Sequence, residues 1–198
     1  MCFDTSSSLL AWGFANVIAV YLWQRNRNYD RWNAAFIFTF TLIQLLEAGI
    51  WSSSSKCANQ TFTSLIVVAL LAQPLVQSYM GWTFTKKDLL RWMTYLYTGL
   101  LIWGIFKVLF KSEKFKSYSG PNGHLVWDSG ESHILQPFTW LYLLGLFVPL
   151  LYMGKRGIPL IAVGMITFAY SWIKTRGKEF SSLWCFTAIA YALAALVV

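Results

Sequence analysis

The chain has 198 residues, of which 57% are hydrophobic, 18% aromatic and only 12% charged, with 16 Lys and Arg against 8 Asp and Glu for a net charge of +8. A water-soluble domain of this size normally carries about 25% charged and 45–50% apolar residues. Polar material is therefore too scarce to cover a globule, and lipid is the solvent for most of the surface. At about 20 residues per spanning helix plus connections, the length allows one domain with seven crossings at most.

Seven apolar runs follow one another, over 9–23, 33–51, 62–80, 90–110, 137–153, 158–173 and 180–198. Backbone amides in lipid need internal partners, so such runs are helices or strands of a closed barrel. The two-residue alternation of a barrel wall is absent, as the run Phe62 to Leu71 illustrates. The expected fold is all-α: a polytopic helical bundle of seven transmembrane helices in a single domain, 1–198. The first, fifth and sixth runs are short and span about 30 Å of hydrocarbon only by borrowing flanking residues.

Helix one carries Asn16. The residues before it lack the basic start of a secretory signal, and no small-residue cleavage pattern follows, so this helix is expected to act as a signal anchor. Helix two holds Glu47, the one acidic side chain within a spanning run. A carboxylate there costs a few kcal/mol and tends to face the bundle interior and mark a pathway. Gln44, three residues earlier, and Trp51, four later, fall on its face of the helix. In helix three, Gln73 and Gln77 flank Pro74, which frees a carbonyl one turn back that either amide can satisfy.

The segment 111–136 is the only long connection. Its Ser117, Ser119, Gly120, Pro121, Asn122, Gly123, Ser129 and Gly130 are turn vocabulary, and it is long enough to form a lid. Helices five and six are joined by Gly154-Lys155-Arg156-Gly157 and must be antiparallel neighbours. Helix seven opens Phe180-Ser181-Ser182-Leu183-Trp184-Cys185. It enters from the side on which helix two ends, so Cys185 and Glu47 should share a depth, with Cys2 just outside the same face.

Orientation is finely balanced. Loops one, three and five carry Arg25, Arg27, Arg31, Lys86, Lys87, Arg91, Lys155 and Arg156, and the other side carries as many cations. The three Arg of the first loop favour an N-terminus outside or lumenal and a cytoplasmic C-terminus. The basic residues then anchor the bundle at headgroups; no contiguous basic face suits a nucleic acid.

Absences narrow the chemistry. Helix seven has no Lys for a retinal Schiff base, no His lies in a helix to ligate haem or zinc, and neither a phosphate loop nor Gly-x-Ser-x-Gly occurs. His124 and His133 lie in the long loop, and no pair of Cys, His or acids has metal-ligand spacing. No cofactor, metal or catalytic residue is expected. The three cysteines permit at most one bridge, with Cys2 and Cys57 on one side.

Met1-Cys2-Phe3 before small polar residues, Gln44-x-x-Glu47-x-x-x-Trp51 closing helix two, and Ser182-Leu183-Trp184-Cys185 opening helix seven resemble an uncharacterised family of small seven-helix membrane proteins. Its members begin Met-Cys-Phe-Ser and occur in bacteria, algae and large DNA viruses. This chain differs in having Asp4 at the fourth position and Phe186 where a second Trp is expected. The resemblance implies no reaction, but it marks Cys2, Gln44, Glu47, Trp51, Trp184 and Cys185 as the set to test. Two functions remain open at this stage. One is a small-solute, cation or proton permease using the embedded carboxylate. The other is a receptor-like sensor or interaction protein binding a lipid or apolar ligand.

Overall fold

The computed structural model describes residues 4–128, 135–175 and 179–198. The fold is all-α apart from one small hairpin. The helices are α1 (Thr5–Arg25), α2 (Asp30–Ser52), α3 (Lys56–Thr85), α4 (Asp88–Lys111), α5 (Leu135–Leu151), α6 (Gly157–Thr175), α7 (Phe180–Phe186) and α8 (Ala188–Val197). Strands β1 (Lys116–Ser119) and β2 (Leu125–Asp128) pair antiparallel between α4 and α5. Five helices are long and apolar enough to cross a membrane: α1 to α4, and α6 with the turn before it. This is the composition of a multi-pass membrane protein.

Two of the helices begin on a side-chain cap. Asp4 caps α1 through a capping box: its carboxylate accepts from Ser7 N at 2.7 Å, and Ser7 Oγ accepts from Asp4 N at 3.0 Å. Asp serves as an N-cap as well as Ser does. Ser55 caps α3, accepting from Ala58 N. Asn26 and Lys86 end α1 and α3 in the left-handed conformation.

The expected seventh helix, 180–198, is broken. Thr187 Oγ1 donates to Trp184 O at 2.6 Å, and Thr187 N is shared between Leu183 O and Trp184 O. A threonine hydroxyl that takes a carbonyl of the preceding turn competes with the helical ladder, and α7 and α8 meet there. The long segment 111–136 also departs from the expected plain loop, because Lys116–Ser119 and Leu125–Asp128 form a ladder in register from Lys116 opposite Asp128 to Ser119 opposite Leu125. Gly120 N donates to His124 O, Gly123 N donates to Gly120 O, and Gly123 takes φ 80°. This closes a tight turn that needs glycine at its left-handed position.

The α1 face Ser8, Ala11, Ala15, Ala19 and Leu22 is buried, and its small side chains allow close approach to α2. Gln77 Nε2 donates to Leu146 O, and Tyr97 Oη donates to Leu141 O, tying α5 to α3 and α4. The outward face is apolar, with Phe14, Val17, Trp92, Phe106, Phe110 and Ile166 exposed, as a lipid-facing surface requires. The 30 residues of α3 measure about 45 Å and overhang a bilayer core of about 30 Å.

The overhang docks the hairpin. Asn59 accepts from Ser117 N at 2.9 Å and donates to Ser117 O at 3.0 Å, so its amide stands in for a neighbouring strand. Thr63 Oγ1 and Ser117 Oγ lie 2.7 Å apart, and Gln60 donates to Glu113 O.

Candidate functional site

Glu47 lies in the last two turns of α2 and is buried at 3% exposure. Gln44 Nε2 donates to Glu47 Oε2 at 3.0 Å along the same helix face. Ser182 on α7 and Trp127 on β2 approach the same carboxyl. Cys185, at 1% exposure, lies close to the same carboxyl. Hydrogen-bond geometry is incomplete, because Glu47 Oε1, Gln44 Oε1 and Trp127 Nε1 are buried without a partner. Such groups cost about 1–3 kcal/mol each when left unmade, so the cluster is held together by the packing around it.

The sequence-selected residues fall into three positions. Glu47, Gln44 and Cys185 come together. Trp184 is one step away in an aromatic nest, its ring against Phe40, Tyr142 and Phe168 and its Nε1 donating to Thr167 Oγ1 at 3.1 Å. Trp51 is half-buried against the apolar core, and the indole beside the carboxyl belongs to Trp127 instead. Cys2 and His133 lie outside the described residues. Cys57 is exposed with a free thiol, and Cys185 is free and buried.

Glu179, absent from the sequence-selected set, organises the mouth. It is 1% exposed and precedes α7. Its Oε1 accepts from Asn122 N at 3.1 Å and Asn122 Nδ2 at 3.3 Å, and its Oε2 accepts from His124 N at 3.1 Å. A Cβ at Gly120 would overlap this carboxylate, so glycine is what lets the turn close over it. Burial lowers the pKa of His124 below the ordinary imidazole range, against the opposing pull of the Glu179 charge. The only sequence cue to Glu179 was an acid directly before an apolar run.

Below Glu47 the buried polar side chains continue to the far end of the bundle. Tyr142 is electrostatically coupled to Cys185 and donates to Gln73 Oε1. Gln77 Oε1 accepts from Trp32 Nε1 at 2.8 Å. Both glutamines beside Pro74 thus bond to other helices, rather than satisfying the carbonyl freed within α3. Tyr191 Oη donates to Asn33 Oδ1 at 3.2 Å. The column ends at Asp30, whose oxygens accept from Arg25 Nε at 2.7 Å, Arg25 Nη2 at 2.8 Å and Arg27 N at 2.8 Å. Asp30, Asn33, Gln44, Glu47, Gln73, Gln77 and Cys185 are each at most 4% exposed.

Among the described residues no group of three His, Cys, Asp or Glu is placed to hold a metal ion. The groups present are proton donors and acceptors, with the Glu47 carboxyl buried on a helix long and apolar enough to cross a membrane. Comparison of the chain with protein-family models, curated proteins and solved structures returns no match.

Proposed function

We propose that the protein is a seven-span membrane permease that moves protons, or a small solute coupled to them, by way of Glu47. In this reading α5 and the α7–α8 pair cross with the five longer helices, the N-terminus is outside or lumenal and the C-terminus is cytoplasmic. The observation that supports it is the set of buried polar side chains Glu47, Cys185, Tyr142, Gln73, Gln77, Asn33 and Asp30, distributed along the bundle. Polar side chains in a membrane interior are costly, and a series of them is the usual signature of a pathway rather than of packing. A lone glue residue would bond one helix to its neighbour and stop.

Glu47 is the station able to exchange charge. It has one closed hydrogen bond and one open oxygen, so it can accept a proton at Oε1 without first breaking its bond to Gln44. Transfer between stations that are not bonded to each other uses transient water, for which the open Gln44 Oε1 and Gln73 Nε2 are anchoring atoms. The hairpin, with Trp127 over the carboxyl, separates Glu47 from bulk water on its side.

Reconstitution into liposomes tests this. Under an imposed pH gradient, wild type is expected to dissipate the gradient and Glu47→Gln to lose that flux, while melting like wild type. Equal flux from the two proteins removes the permease reading, leaving a sensor or interaction protein.

A further inference from the structure

At the end of the bundle away from the hairpin, the α1–α2 turn and the short turn Gly154–Arg156 flank a cleft of about 470 Å³. Asn28, Tyr29, Met153, Lys155 and Arg156 line it. A much smaller cavity beside it shares Tyr29, Met153 and Arg156 and is closed by Asp30, Asn33, Leu160 and Val198. Its size falls in the range of small-ligand sites.

The charge of this cleft is one-sided. The neighbouring acid, Asp30, is taken by Nε and Nη2 of Arg25 and by Arg27 N. Among the described residues the ion pairs are Arg25–Asp30, Arg91–Asp88 and Lys116–Asp128. None uses Lys155 or Arg156. Gly154, at φ 61°, sets the turn that brings these two cations to the cleft. Two cations that line one cleft and make no ion pair among the described residues favour an anion, and a guanidinium beside an ammonium suits a phosphate, one binding it in a fork and the other as a point charge.

The level of the cleft narrows the choice further. Arg31 stacks on Trp23, with 5.6 Å from its guanidinium carbon to the ring centroid, and Arg25 lies 5.6 Å from the Tyr21 ring. Aromatic and basic residues paired in this way mark the headgroup region of a bilayer. We infer that Lys155 and Arg156, with Asn28 and Tyr29, form a binding site for a phosphate group presented at the membrane surface, either as the headgroup of an anionic lipid or as a free phosphate. The site is independent of Glu47 and of transport.

The full chain in mild detergent, equilibrated with equimolar phosphatidylglycerol and phosphatidylcholine, is read by native mass spectrometry. Wild type is expected to retain the anionic lipid over the neutral one by about tenfold or more, and the double variant Lys155→Gln with Arg156→Gln to retain the two equally. Lys87→Gln, exposed at the same end of the bundle but outside the cleft, should behave as wild type. Each single variant should show an intermediate preference, which keeps the test readable if the double variant does not purify. Displacement of bound phosphatidylglycerol by added inorganic phosphate identifies a site that takes free phosphate. Retention in its presence identifies the lipid headgroup. The inference is overturned if wild type shows no preference, or if Lys87→Gln loses as much of it as the cleft variants do.

Discussion

The bundle buries two carboxylates of α2 near its opposite ends and treats them in opposite ways. Asp30 is fully enclosed in donors: two from Arg25 and one from the Arg27 amide. Glu47 has one amide donor at 3.0 Å and an oxygen with no partner. A buried charge that is paired and saturated with hydrogen bonds is locked in one state, whereas a half-satisfied carboxyl in the same medium is the kind of group that changes protonation. On the proposed function, the contrast separates an acid that holds the fold from one that exchanges a proton.

Removing each acid should therefore do opposite things. Asp30→Ala strands the Arg25 guanidinium, and breaking a buried pair from one side costs about 3 kcal/mol or more. A large drop in melting temperature in detergent is the expected result. Glu47→Gln keeps an acceptor for Gln44 and removes only the ionisable proton, so its stability should stay within about 1 kcal/mol of wild type while the proton flux is lost. If Glu47→Gln is as destabilising as Asp30→Ala, the two sites are both structural and the contrast fails.

A smaller effect is expected at the docking of the hairpin. Asn59→Ala removes both bonds to the Ser117 backbone and should loosen β1 and β2 by about 1–2 kcal/mol, read as faster hydrogen exchange over residues 116–128. Unchanged exchange there would mean that Glu179 and Thr63 suffice to hold the hairpin.

The same exchange experiment has a pH dependence. The folded pKa of His124 is lowered by burial, so between the folded and unfolded values the undocked form binds more protons. Docking is at full strength above the unfolded imidazole value, about 6.5, and weakens as pH falls below it. Protection of β1 and β2, corrected for intrinsic rates, should decline from pH 7 to pH 5 by roughly these values, and His124→Gln should flatten the dependence. The Glu179 hydrogen bond to His124 N is a backbone contact and survives that substitution.

The smallest change belongs to Asp4. Its carboxyl is held below the usual range by the Ser7 amide, so its capping of α1 is present above the ordinary aspartate value and fades as pH falls through the lowered one. Asp4→Ala should increase exchange at Ser7 and Ser8, and Asp4→Ser should restore protection.

The helices were legible because lipid imposes long unbroken apolar runs, and α2, α4 and α6 begin or end within three residues of the runs marked in the sequence. α1 and α3 reach further than their runs because polar first-turn residues such as Thr5, Ser6 and Lys56, held by the caps Asp4 and Ser55, belong to the helix although they are not apolar. The hairpin was illegible for a physical reason: strands of four residues, Lys-Ser-Tyr-Ser and Leu-Val-Trp-Asp, are too short to show a period, and their pairing depends on Asn59 and Glu179, distant in the chain.

The site was half legible. Gln44 and Glu47 share a helical face by spacing alone, and the depth of Cys185 followed from the order of crossings. Trp127 was not foreseeable, because helical spacing nominated Trp51 and a strand folding back over the bundle leaves no local mark. Asp30 and Glu179 stood beside basic residues at chain turns, where an acid reads as solvated, and only the packing of distant helices buries them.

The measurement closest to the central claim is infrared difference spectroscopy of the reconstituted protein through a pH jump. A carboxylic acid C=O band that rises and falls with pH, is present in wild type and vanishes in Glu47→Gln while persisting in Asp30→Asn, is the predicted result. A spectrum in which Glu47→Gln leaves every carboxyl band unchanged would contradict the account, since the interior acid would then take up and release no proton.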